Sequence, residues 1–213
     1  MLHSPAPDTC LMFLIRHGAT EANTARPPRL QGRGVNLSLS LEGCRQAEQT
    51  AAFLTNEPLT AVYSSPLKRA AETARHIAAK RQLSVESIEE LVEVDVGNWE
   101  GRSWAEIGET EPAAYQLFLA DPGSHGYSGG ENMQQVQDRV TPALEHILRQ
   151  NLGRVIAVVG HNVVNRAYLS SVLGLPIAKS RNLIQDNCGI NLLTHRAGET
   201  KLITCNAVAH LRQ

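Results

Sequence analysis

The chain has 213 residues, 42% hydrophobic and 19% charged, with a formal net charge of −1. That size and composition fit one folded domain, residues 1–213, with a core of its own. The near-neutral balance excludes a global basic field that would recruit nucleic acid or an anionic membrane, and no apolar run reaches the length of a membrane span. Residues 1–9 read as a loose leader that lacks the basic head and apolar stretch of a secretory signal. Cys10, Cys44, Cys188 and Cys205 are scattered, with no metal-ligand spacing. They read as reduced thiols of a cytoplasmic protein.

The first predicted strand, about 10–15, is apolar and stops at Arg16-His17-Gly18. In an open α/β sheet, ligands bind beyond the carboxyl ends of strands. An imidazole there can be a base, a metal ligand or a nucleophile. Arg16 beside it disfavours a metal cation and favours an anion, and a guanidinium suits phosphate. A long polar loop, 19–40, follows and carries Asn23 and Gln31. Ser40 is placed to cap a helix over 41–54, with Cys44, Ala47, Ala51 and Leu54 at helical spacing. A short strand at 61–63 leads to SSPLKRAAETA, residues 64–74. Here Pro66 fits a helix first turn after a Ser cap, and Arg69 lies near the helix start, where amides favour an anion.

A strand near 83–86 precedes LVEVDVGNWEG, residues 91–101, which reads as an extended stretch leaving the sheet. Glu93, Asp95 and Glu100 compete there as the acid that an alcohol leaving group requires. Trp99 and Trp104 read as packing residues. Residues 102–130 form an insert with two short helices, about 103–108 and 112–120, and no Lys or Arg over 103–130. Phe118, Leu119, His125 and Tyr127 are candidates to line a site beneath it. Glu131 is expected to start the next helix, 132–150, whose apolar face is Val136, Val140, Leu144, Ile147 and Leu148. The central strand, 154–159, ends in Gly160-His161 and repeats the logic of the first. A helix over 163–173, a helical turn near 180–186, strands at 189–195 and 201–205, and a tail over 206–211 complete the chain. His146, His195 and His210 read as structural.

LIRHGAT (14–20), the Arg69 segment, the Glu93 segment, GGEN (129–132) and GHNVVNRA (160–167), in that order, resemble the histidine phosphatase superfamily, the phosphoglycerate mutase-like proteins. The match covers nearly the whole chain after the first ten residues. The resemblance implies an α/β three-layer sandwich with a mostly parallel central sheet and a small cap-like insert. It implies His17 as nucleophile, Arg16, Arg69 and His161 as holders of the phosphoryl oxygens, and Glu93 as proton donor. It also implies substrate contacts from Asn23, Gln31 and Asn162. Asn162 stands where the family more often has Gly.

The function so implied is a metal-independent phosphomonoester hydrolase, a histidine acid phosphatase-type enzyme, working through a phosphohistidine. Its partner is a small-molecule phosphate ester, with no nucleic acid, no membrane and no cofactor. An acid role for Glu93 requires a bound proton and implies an acidic to near-neutral optimum. The alternatives are a cofactor-dependent phosphoglycerate mutase, a catalytically silent binding protein of the same fold, and a metal hydrolase using His17 and His161. The insert without Lys or Arg favours a phosphatase, and a modestly charged or broad range of substrates.

Overall fold

The structure, a computed structural model, describes residues 4–211. The first three residues of the expected leader lie outside that span. The first apolar run becomes strand β1 (Thr9–Arg16), buried from Met12 to Ile15. A single helical turn, α1 (Glu21–Thr24), interrupts the long loop. Helix α2 (Leu41–Leu54) begins where the Ser40 hydroxyl accepts from Gly43 N–H at 3.1 Å. It buries Ala47, Ala51 and Leu54, as their spacing requires.

Strand β2 (Leu59–Ser64), helix α3 (Lys68–Ala79) and strand β3 (Val85–Ser87) follow. Helix α3 differs from expectation at its start. Leu67 occupies the cap position without a side-chain cap; the Ser65 hydroxyl accepts from Leu67 N–H at 3.3 Å and meets His161 Nε2 at 2.7 Å. The stretch after β3 is not extended either. It contains 3-10 turns at Glu89–Leu91 and Gly97–Trp99. Leu91, Val94, Val96 and Trp99 all turn inward to the core, and Gly97, at φ +52°, supplies the bend.

Helices α4 (Trp104–Thr110) and α5 (Pro112–Ala120) form the insert. Helix α6 (Met133–Gln150) is capped by Asn132, not started by Glu131. The Glu131 carboxylate instead accepts from Asp95 N–H at 2.8 Å and from Arg139 Nε at 2.9 Å. Strand β4 (Val155–Gly160), helix α7 (Asn162–Val172), a 3-10 turn (Ile177–Asn182) and strands β5 (Ile190–Arg196) and β6 (Glu199–Ala207) follow. The expected tail is the end of β6 and a last 3-10 turn (Ala209–Leu211), where His210 packs on Phe53 of α2.

The six strands make one sheet in the order β3-β2-β4-β1-β5-β6. Pairs β3-β2, β2-β4 and β4-β1 are parallel, and β1-β5 and β5-β6 are antiparallel. Strand side chains alternate between faces. Met12, Leu14, Ile156 and Val158 therefore join one core with α6 and α7. Phe13, Ile15, Val155, Ala157 and Val159 join the other with α2 and α3. The result is an α/β fold with helices on both faces of a mixed sheet. Among the described residues no helix is long and apolar enough to cross a membrane.

One contact ties this architecture to the loop after β1. A β-carbon at Gly43 would lie 1.9 Å from Ala19 O, so only glycine lets α2 press on residues 18–19. Gly43→Ala is expected to lower stability by about 1–3 kcal/mol, as overpacking does. Urea unfolding measures it, and an unchanged midpoint would contradict this account of the contact.

Candidate active site

The site follows from strand register. Strand β1 lies parallel to β4 with Arg16 opposite Gly160. One residue further on, His17 N–H donates to Gly160 O at 3.1 Å, so His17 and His161 emerge side by side. Their ring centres are 5.1 Å apart. On the other side of β4, Ser64 pairs with Val159, and Ser65 thereby reaches His161 Nε2. Three adjacent parallel strands thus deliver Arg16-His17, His161 and Ser65 to one corner.

Arg69, one residue into α3, is fully buried in this corner. Its Nε donates to His17 Nε2 at 3.3 Å, and its terminal nitrogens donate to Val35 O and Gly32 O, each at 3.0 Å. The tautomer of His17 is fixed by its partner. Nδ1 lies 2.7 Å from Gly18 O, a carbonyl that can only accept, so Nδ1 carries the proton. The Nε2 lone pair is left as the acceptor that meets Arg69 Nε. The loop that holds His17 is fastened on both flanks: Gly18 N–H donates to Thr73 Oγ1 at 3.0 Å and Ala19 N–H to Gln46 Oε1 at 2.9 Å.

Burial, then the Arg16 and Arg69 guanidinium groups, push the His17 pKa well below 6.5. Burial and the same cations, with His17 between them in weight, do likewise to His161. Both imidazoles are therefore neutral at neutral pH. Burial also lowers Arg16, to about 10, with Glu93 opposing the shift. Arg16 remains a cation; one terminal nitrogen donates to Gln185 O at 2.7 Å, while its buried Nε has no hydrogen-bond partner among the described residues.

Of the three competing acids, Glu93 is the one that lines the cavity. Its carboxylate accepts from its neighbour Val94 N–H at 2.9 Å, and from Val163 and Val164 N–H at the start of α7 at 3.3 and 3.4 Å. Asp95 pairs with Arg33 at 2.6 Å. Glu100 accepts from Gly32 and Gly34 N–H at 2.6 and 3.1 Å. Both acids are occupied in holding loops.

The cavity measures about 640 Å³. Asn23, Gln31 and Asn162 line it beside Arg16, His17 and Glu93. So do Phe118, Leu119 and Tyr127 of the insert region, but not His125, which is exposed. Trp99 is fully buried, as expected. Trp104 is not a packing residue alone: it is 40% exposed, lines the cavity and stacks on Phe118 at 5.7 Å. Three residues escaped the sequence reading: Ser65, Arg166 and Arg181. Arg166 lies four residues after Asn162, on the same face of α7, and that spacing was the available signal. Among the described residues no group of His, Cys, Asp and Glu is placed to hold a metal ion.

A family profile described as histidine phosphatase superfamily (branch 1) matches residues 12–208. Phosphoserine phosphatase 1 of Hydrogenobacter thermophilus is 30% identical over 200 residues, 94% of this chain and 93% of that one. A metal-independent phosphoserine phosphatase of Arabidopsis thaliana is 40% identical over 160 residues, 73% of this chain and 66% of that one. Among solved structures, a histidine-to-alanine mutant of an Entamoeba histolytica phosphoserine phosphatase, in complex with phosphoserine, superposes with a TM-score of 0.85 at 28% identity. The match covers 95% of this chain and 99% of that one.

The two neutral histidines set a pH dependence of stability. In the unfolded chain they protonate near 6.5, but in the fold only well below it. Below that pH the unfolded state binds more protons, so stability falls as pH drops. The urea midpoint is expected to decline from about pH 7 to about pH 5, and His161→Gln to flatten the slope. An equal slope in the variant would contradict the burial of a neutral His161.

Proposed function

The chain belongs to the histidine phosphatase superfamily, and from that premise we propose that it hydrolyses phosphate monoesters through a phosphohistidine on His17. The observation that carries the reading is the register of β1 and β4. It brings a neutral imidazole, its Nε2 lone pair turned to Arg69 Nε, into a corner shared with two guanidinium groups and a second imidazole. The relatives named as phosphoserine phosphatases, one of them as metal-independent, support a small phosphorylated metabolite as substrate and a reaction without metal.

In the proposed reaction the phosphate dianion enters between Arg16, Arg69 and His161. His17 Nε2 attacks phosphorus in line, forming the N–P bond as the P–O bond to the alcohol breaks. Arg16, Arg69 and His161 hold the three equatorial oxygens while charge shifts onto the leaving oxygen. Glu93, entering the step protonated, gives that oxygen its proton. A water then attacks phosphorus, Glu93 takes the water's proton, the N–P bond breaks, and inorganic phosphate leaves. Asn23, Gln31 and Asn162 contact the substrate on the way to the cavity mouth. Ser65 orients His161 through its hydroxyl. The insert, residues 102–130, is the cap of a single catalytic domain, and the free thiols of Cys10, Cys44, Cys188 and Cys205 fit a reducing cytoplasm.

Hydrolysis of an aryl phosphate tests this. Wild-type turnover is expected to persist in EDTA, and kcat/KM to fall at least about a thousandfold in His17→Ala. Loss of turnover in EDTA would move the case to a metal enzyme. Phosphoglycerates that are isomerised without release of phosphate would move it to a mutase. Because His17 stays neutral, turnover is expected to continue below pH 6.5; a rate that climbs steadily into alkali would contradict the acid role of Glu93.

A further inference from the structure

Phosphoryl chemistry occupies the inner end of the cavity. The same cavity is lined by two further guanidinium groups, Arg166 of α7 and Arg181 of the 3-10 turn Ile177–Asn182. Each is held from behind by a backbone carbonyl. Arg166 Nε donates to Leu183 O at 2.8 Å. A terminal nitrogen of Arg181 donates to Phe118 O at 3.4 Å, and its Cζ stands 4.4 Å from the centre of the Phe118 ring. These contacts aim the planar forks without neutralising them.

Among the described residues neither cation forms an ion pair with a carboxylate. Arg33, Arg45, Arg102, Arg139 and Arg196 each do. Arg166 is also largely buried, and burial and the repulsion of Arg181 oppose its charge, with Glu93 acting the other way. Among the described residues Glu93 is the only acid on the cavity wall, against Arg16, Arg29, Arg166 and Arg181, and its oxygens accept from backbone amides. The Tyr127 phenol near the pair is kept protonated by burial, then by Glu93. Two half-buried like charges that form no ion pair cost stability unless something else gains from them. An anion arriving with the substrate is that gain, and a guanidinium fork matches a carboxylate.

We propose that Arg166 and Arg181 form a second anion subsite, and that the leaving alcohol of the natural substrate carries a carboxylate that they clamp. The inference rests on the hydrolase reading, which places the phosphoryl group at His17. It revises the expectation drawn from the insert. Residues 103–130 bring no Lys or Arg, but α7 and the turn after it supply the charge, Arg181 from against Phe118 of the insert.

A matched pair of ligands tests the subsite: glycerate and glycerol, each phosphorylated on a terminal hydroxyl, which differ by the carboxylate. They are titrated by calorimetry into His17→Ala, where turnover does not consume them, and into the same background with Arg166→Gln, Arg181→Gln or Arg181→Lys. The glycerate ester is expected to bind at least about tenfold more tightly than the glycerol ester. Each Gln substitution is expected to reduce that ratio severalfold or more. Equal affinities, no binding of the glycerate ester, or a ratio that survives both Gln substitutions overturns the subsite. The ratio before any arginine is changed keeps the test decisive if a variant fails to fold. Wild-type turnover of aryl phosphate reads the hydrolase assignment separately. Turnover without a binding preference sinks the subsite alone; a preference without turnover sinks the hydrolase and leaves the subsite.

Discussion

The parallel pairing of β1 with β4 is the constraint on which the rest depends. Because Arg16 faces Gly160, the next residue of each strand is a histidine, and the two rings meet 5.1 Å apart. A slip of one residue would send each strand's apolar set to the wrong face of the sheet. The two cores therefore guard the spacing of the imidazoles. Electrostatics then selects their charge state. Packed against Arg16 and Arg69 in a buried corner, a protonated imidazole would be one cation too many, so His17 stays neutral. A neutral imidazole is what a nucleophile must be. In the proposed reaction the same cations that bind the phosphate keep its attacker neutral.

Around this corner a ring of acids holds backbone in place. Glu100 gathers the amides of Gly32 and Gly34, and the carbonyl between them, Gly32 O, anchors Arg69. Glu131 pairs with Arg139, which also donates to Glu90 O and Val92 O at 2.6 and 2.8 Å. That clamp fixes the segment bearing Glu93. Neither Glu100 nor Glu131 lines the cavity, so neither is placed to exchange protons with a substrate. Glu93 differs because it lines the cavity, where a leaving group can reach it.

Much of this was legible in the sequence. The boundaries of α2, the buried face of α6 and the strand-end positions of His17 and His161 follow from local patterns: a Ser cap, helical spacing, and apolar runs that end in His. The segment after β3 was misread because alternating acids and apolar residues resemble a strand, whereas four apolar side chains turn into the core around a glycine with positive φ. The helix starts at Lys68, two residues later than the Pro66 pattern suggests, and the Ser65 hydroxyl, which accepts from Leu67 N–H, also meets His161 on the neighbouring strand, a contact no local pattern encodes. Arg166 and Arg181 were missed for a similar reason. One is on α7 and the other on a 3-10 turn, and only the tertiary fold brings both to one cavity.

The most direct measurement follows the phosphoryl group itself. Wild-type protein mixed with an aryl phosphate is quenched within a turnover into alkali, where a phosphorus–nitrogen bond survives, and the modified peptide is sequenced by mass spectrometry. The account expects one phosphoryl group on His17, lost when the reaction is allowed to run out. A phosphoryl group on any other residue, or turnover of the first equivalent with no phosphorylated protein formed, would contradict it.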